Sequence, residues 1–466
     1  MATDDLVETP GRRGSGGTSG LIGRGRGRGP GRGRGRGPGR DRERSAVPAR
    51  LRSGRRSLWR RILTIAAIAG PGLIAANAGN DAGGIATYAS AGSQYRYRML
   101  FVMVIITIGL VVVQEMSARL GAITGKGLAA LIREEFSIRM TSLALGALLV
   151  ANTGIVVSEF AGIGAAFELW GVPPYITVPL AAIAIWVLVL FGSYRYAERV
   201  FLLLSLAFLA YPIAAGLGHP DWKQVGIQTV VPHFESSKAF VLLVVALIGT
   251  TISPYMQLYN AAAVVDRGIG PEEYPVERID SVVGAIFADI ISWFIIVATA
   301  AAIGGRGALT SAKEAALALR PVAGPAAEVL FGLGLLGASA LAGAVVPLST
   351  SYALAEAIGV ERSVSRSFRE APLFLGLFTV QIVIGAAVAL LPVNLITLLI
   401  GTQVLQGIVT PIILVFILIL ANRRSVLGEH VNGPIIKVVS TISIAVVAVM
   451  AVSLVVLTVL GWFGIS

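Results

Sequence analysis

The chain has no cysteine among its 466 residues, only three histidines, and charged side chains at just 14% of positions. Without cysteine there are no disulfides, thiolate metal sites or cysteine nucleophiles. His219, His233 and His430 all lie outside the long apolar runs, so a histidine zinc site within a membrane is not expected. No Walker loop, catalytic triad or pair of acids at enzymatic spacing is found, so neither ATP-driven pumping nor enzymatic catalysis is expected, and no cofactor is implied. Apolar residues, in contrast, make up 55% of the chain, with a mean hydropathy of +0.78. That balance describes an all-α polytopic membrane protein.

The net charge of +12 would suggest a nucleic-acid partner if it were spread over a folded surface. Instead, residues 1 to 61 hold 17 arginines against five acids, which accounts for all of it. Residues 1 to 57 include Gly23-Arg24-Gly25-Arg26-Gly27-Arg28-Gly29-Pro30 and a near-repeat ending at Arg40. With almost no apolar side chains to bury, this Arg/Gly-rich tail is expected to be disordered. It lacks interleaved aromatics for base stacking, so no nucleic-acid partner is expected. A cytoplasmic arm that touches anionic lipid, at about 1 kcal/mol per nearby charge, is the better expectation. The tail is also too polar for a secretory signal peptide.

Residues 58 to 466 form the expected transmembrane domain. Apolar runs at about 58 to 88, 98 to 117, 139 to 167, 175 to 193, 198 to 217, 238 to 265, 281 to 304, 326 to 356, 372 to 391, 394 to 421 and 435 to 462 predict eleven spans. With the basic tail inside, 14 lysines and arginines fall on the cytoplasmic side of these spans and seven on the other. This predicts a plasma-membrane protein with its N-terminus cytoplasmic and its C-terminus outside.

Two spans carry interruptions. The first contains Ala78-Gly79-Asn80-Asp81-Ala82-Gly83-Gly84, where glycines weaken the helix and a carboxylate sits at membrane depth. In the sixth, Gly249-Thr250-Thr251-Ile252-Ser253-Pro254 ends in a proline that removes a backbone donor. Breaks near residues 79 to 84 and at Pro254, five spans apart, predict a five-plus-five inverted repeat with the binding site between the broken helices. Bare carbonyls beside a carboxylate suit a cation.

From about Gly70 to the end of the tenth span the chain resembles the Nramp family of divalent metal transporters, which has the LeuT-type fold. The family's first-helix motif, Asp-Pro-Gly-Asn followed by an aromatic and Ala-Thr, is met by Asp81-Ala82-Gly83-Gly84-Ile85-Ala86-Thr87. Ala118-Arg119-Leu120-Gly121, Thr124-Gly125-Lys126, Glu159-Phe160-Ala161-Gly162 and Gln403-Val404-Leu405 follow in the family's order. The departures are specific. The sixth-helix Met-Pro-His is Ser253-Pro254-Tyr255, the motif asparagine is Gly84, and Val156 replaces an acid three residues before Glu159. In these losses the chain is most similar to the Nramp-related magnesium transporters.

The resemblance implies metal ligation by Asp81, the Thr250 carbonyl and Gln403, with Ser253 where the family has its methionine. Without a thioether, the main discrimination against hard Mg²⁺ is gone. Oxygen ligands, with the room left by Gly84, suit a partly hydrated Mg²⁺ held through one or two carboxylates. The expectation is Mg²⁺ transport by alternating access, with Mn²⁺ tolerated and no strict proton coupling. The alternatives are a proton-coupled Mn²⁺ or Fe²⁺ importer of the ordinary kind and, more remotely, an amino-acid transporter of the same fold. Four further residues are candidates for shaping the site or its pathway: Tyr255, Gln257, Glu159 and Asp289. For Glu159 and Asp289 helix packing is the competing reading, and for Gln257 it is satisfaction of freed backbone groups.

Overall fold

The structure, a computed structural model, describes residues 81–191, 203–204, 206–360 and 368–462. The Arg/Gly-rich tail and residues 58 to 80 of the first expected span lie outside them. The described residues are helical, and the helices fall where the apolar runs lie. We number them by span: α1 (Ala82–Tyr95), α2 (Leu100–Thr124), α3 (Ile138–Glu168), α4 (Pro174–Leu190), α5 (Ala210–Leu217), α6a (Lys238–Thr251), α6b (Pro254–Asp266), α7 (Tyr274–Ile303), α8 (Ala327–Ile358), α9 (Pro372–Ala389), α10 (Leu395–Asn422) and α11 (Pro434–Trp462). Short helices such as Leu128–Glu135 and Trp222–Val230 join them.

Eight helical segments among the described residues are long and apolar enough to cross a membrane. The fourth and fifth expected spans appear as shorter apolar helices, and of the first only the half after Asp81 is described. Local sequence sets the ends. Ser137, Ser237 and Asn394 each accept a hydrogen bond from a backbone N–H three residues on, and Gly125 and Gly359 close α2 and α8 at positive φ.

Polarity runs inside out, as a bilayer demands. Leu180 and Ile183 of α4, Val383 of α9 and Val452 of α11 are exposed, while Asn152, Ser158, Glu159, Gln257 and Gln403 are buried. The α6 segment is 89% buried over its most apolar window and α11 only 22%, so α6 is central and α11 peripheral. Small residues let the helices approach. A Cβ on Gly332 would lie 2.9 Å from the Trp170 ring, and one on Gly249 only 2.0 Å from the Gln403 backbone oxygen of α10.

Arg119 is not the loop residue that the apolar pattern suggests. The second helix continues to Thr124, so Arg119 lies within it, buried, and pairs with Glu115 at 3.1 Å. The Tyr274 hydroxyl donates to Glu115, Arg278 lies 3.7 Å from it, and Arg119 donates to the His430 carbonyl at 3.0 Å and to the Asn432 side chain. One cluster thus ties α2 to α7 and to the connection between α10 and α11.

Candidate metal-transport site

The first interruption ends earlier than the glycines suggest. Helix α1 begins at Ala82, so Gly83 and Gly84 lie in its first turn rather than in unwound chain. The reason is Asp81. In extended conformation (φ −69°, ψ 172°) it caps the helix, its Oδ1 accepting from the Gly84 N–H at 2.6 Å and its carbonyl from Ile85. The Asp81 side chain is 2% exposed. Gly83 serves close approach instead of unwinding: a Cβ there would fall 1.9 Å from Gln403 Nε2 and 2.7 Å from Ser158 Oγ.

The second interruption falls where Pro254 predicts. Helix α6a ends with Ile252 as its cap (φ −110°, ψ 53°), and α6b starts at Pro254. Proline has no N–H to offer the Thr250 carbonyl four residues back. The Ser253 hydroxyl takes that place, donating to Thr250 O at 3.1 Å and to Gly249 O at 2.8 Å. A carbonyl keeps a second lone pair, so Thr250 O retains acceptor capacity. The Thr250 side chain interacts with the Asp81 carboxylate, yet its Oγ1 is without a hydrogen-bond partner.

A second carboxyl group stands beside the first. Glu159 of α3 is completely buried, with Oε2 3.5 Å from the Ala82 N–H, Oε1 unpartnered, and Asp81 as its charged neighbour. The two acids therefore flank the positive end of α1. Near them Ser158, Ser339 and both amide atoms of Gln403 are buried without partners, as are both amide atoms of Gln406, which packs against Gly249 of α6a. Each such atom costs about 1–3 kcal/mol unless something supplies the missing bond. A hydrated cation, whose water and charge both seek such atoms, would supply it.

Asp81, Thr250, Ser253, Gln403, Glu159 and Gly84 thus come together where α1, α3, α6 and α10 meet. Tyr255 is buried beside them, within electrostatic reach of both Asp81 and Glu159. Gln257 is turned toward α2, where Ser117 Oγ donates to its Oε1 at 3.2 Å. Asp289 lies elsewhere, lining a cavity between α2 and α7 that none of the other candidates lines. The sequence reading passed over Ser158, Ser339 and Gln406. It also missed Tyr88, whose hydroxyl meets Thr251 Oγ1 at 2.9 Å and joins α1 to α6a. Polar side chains within apolar runs were the available signal for all four. No group of three or more His, Asp or Glu side chains able to hold a metal occurs among the described residues. The donor set is one or two carboxylates with neutral oxygens, suited to a hard cation that keeps part of its water.

Comparison with known proteins agrees with this architecture. Residues 72–457 match the Nramp family, described as natural resistance-associated macrophage protein-like. The divalent metal cation transporter MntH of Ralstonia nicotianae is 30% identical over 413 residues, covering 82% of this chain and 88% of that protein. MntH of Bacillus subtilis is 28% identical over 387 residues, covering 80% and 87%. Among solved structures, the Eremococcus coleocola manganese transporter superposes with a TM-score of 0.70 at 19% identity, covering 90% of each chain. Mhp1, a nucleobase-cation-symport-1 transporter, does so at 0.51 and 17%, covering 83% of this chain and 90% of that one. The fold is thus of the LeuT type, and by sequence the chain belongs to the Nramp family.

Proposed function

We propose that this chain is a secondary transporter that moves divalent metal cations by alternating access, with Asp81 as the anchor and Mn²⁺ as the cargo. The observation that carries this reading is the buried Asp81 carboxylate at the start of α1, which interacts with Thr250 beside the break in α6, with the unpartnered amide of Gln403 packed against Gly83. The relatives named as divalent metal cation transporters support it over most of their length. Glu159, the remaining carboxyl beside Asp81, is the group to which proton coupling of the ordinary Nramp kind would fall.

Mg²⁺ is the second reading, and a specific observation favours it. At the sixth-helix break stands Ser253, whose hydroxyl is bonded to the Gly249 and Thr250 carbonyls, so this position offers no soft ligand to separate Mn²⁺ from Mg²⁺. Purified protein in liposomes, with an interior pH dye and competing Mn²⁺, Mg²⁺ and Ca²⁺, decides between the two. Mn²⁺ uptake with acidification and no Mg²⁺ flux supports the first reading. Mg²⁺ flux without acidification supports the second, and an amino acid carried in place of any divalent ion overturns both. Ca²⁺ is expected to be handled poorly, because it takes about six to eight oxygens at longer distances.

The setting of the transporter follows from charge and composition. The plasma membrane, a cytoplasmic N-terminus and an outer C-terminus follow from the distribution of basic residues. The tail of residues 1 to 57 is proposed to touch anionic lipid and to be dispensable for uptake.

A further inference from the structure

Between α2 and α7 lies a cavity of about 500 Å³, separate from the residues around Asp81. Its walls are apolar side chains, among them Met103, Ile290, Trp293 and Phe294, and the polar side chains lining it are Asp289 and Thr107. Ile108 and Ile290 at its edge are 45% and 46% exposed, on helix faces that no other part of the described protein covers. Asp289 is 5% exposed, and its Oδ2 has no hydrogen-bond partner. Thr107, the adjacent hydroxyl, donates to the Met103 carbonyl at 2.8 Å and also interacts with the Asp289 carboxylate. No lysine or arginine lines the cavity.

We propose that this cavity is a binding site for a lipophilic organic ammonium ion that enters from the bilayer and takes Asp289 as its counter-ion. A divalent metal is the wrong occupant, because two oxygen-bearing side chains fall far short of the coordination that Mg²⁺ or Ca²⁺ requires. A lipid acyl chain would fill the space and leave the buried carboxylate unpaired. An aryl-alkyl ammonium answers each feature. Its N–H groups make charge-assisted bonds to Oδ2, and its chain packs on Met103 and Ile290. The Trp293 and Phe294 rings, with centroids 5.1 Å apart, both line the cavity and supply the aromatic surface that attracts a cation. The volume suits a drug-sized molecule.

The test uses full-length protein in lipid nanodiscs with 4-phenylbutylammonium as probe and 4-phenylbutanol as its neutral counterpart, binding being read by calorimetry. Saturable binding at one site is expected, with the alcohol at least tenfold weaker. Asp289→Asn and the cavity-filling Ile290→Trp should each weaken ammonium binding tenfold or more, while Asp81→Asn leaves it unchanged. Equal binding of alcohol and ammonium would mean an apolar slot only and overturn the proposal. So would undiminished binding to Asp289→Asn. Loss in Asp81→Asn would place the amine in the transport site instead. If Asp289→Asn does not fold, Ile290→Trp and the alcohol decide the matter.

Discussion

Asp81 and Glu115 are both carboxylates buried within apolar helices, and the protein treats them in opposite ways. Glu115 is matched by a guanidinium, a phenol and a second, more distant arginine, and Arg119 reaches on to two further acceptors. Asp81 has one backbone N–H on Oδ1, a threonine hydroxyl that is not in bonding geometry, and a second acid for company. The first arrangement matches the Glu115 carboxylate within the chain, leaving only Arg119 Nε without a partner, and holds helices together. The second is left short of partners by the chain itself, which is the condition the proposed cation site requires. Burial alone therefore does not mark a functional acid; a shortfall of partners does.

Four substitutions or conditions probe this contrast, in order of decreasing effect. Asp81→Asn should abolish uptake of every divalent ion in liposomes while the protein still folds, because asparagine caps a helix about as well as aspartate. Persistence of Mn²⁺ flux in that variant would remove Asp81 from the site. Arg119→Met leaves Glu115 buried with only the Tyr274 hydroxyl and the more distant Arg278, and should cost about 3–5 kcal/mol of stability in thermal or denaturant unfolding. Adding Glu115→Gln should restore most of that loss. Metal affinity should stay within about twofold in both variants, since neither side chain touches the Asp81 centre, and a larger change would blur the distinction drawn here.

How much of this was open to inspection in the sequence depends on the range of the interaction. The spans, Asp81 and the break at Pro254 were legible, because hydropathy, capping and the missing proline donor are local. The length of the first interruption was not. Glycine's low helix propensity argued for unwinding at Gly83 and Gly84, whereas tertiary contact with Gln403 and the Asp81 cap keep both in a helix. Glu115 and Arg119 stand four residues apart on one helix, and that spacing could have been read. Their partners Tyr274 and Asn432 could not, lying more than 150 and 300 residues away. The placement of Asp289 was hidden in the same way: an acid in an apolar run announces that it faces something without saying which helix.

The two remaining tests are finer. Ser253→Met should shift selectivity from Mg²⁺ toward Mn²⁺ and Cd²⁺ by roughly tenfold or less, about 1.4 kcal/mol at most. It brings a soft sulfur to the break and frees the Thr250 carbonyl from its hydroxyl donor. An unaltered ratio in well-folded protein means that position 253 does not face the ion. At the exposed end of the range, Glu235 accepts from His233 and Arg98, and these bonds hold its carboxyl below the usual value of 4.5. Their contribution is present above pH 4.5 and is lost as pH falls through the lowered value. Glu235→Gln should flatten a small acid-side decline in melting temperature between about pH 5 and 3, with no effect on transport.

The close crossing of α6a and α10 has a mechanical consequence. A Cβ on Gly249 would strike the Gln403 carbonyl at 2.0 Å, and one on Gly407 would strike the Val245 carbonyl at 2.1 Å, so here backbone rests directly on backbone. Side chains at a crossing act as compliant pads that can change rotamer and let two rods roll. Without them the rods form a dovetail. Neither α6a nor α10 can turn about its own axis without driving a peptide group into its neighbour. These two segments therefore make one rigid strut, and under the proposed alternating access the freedom to move would fall to the chain beyond the strut's end, at Ile252 and Ser253, where α6a gives way to α6b.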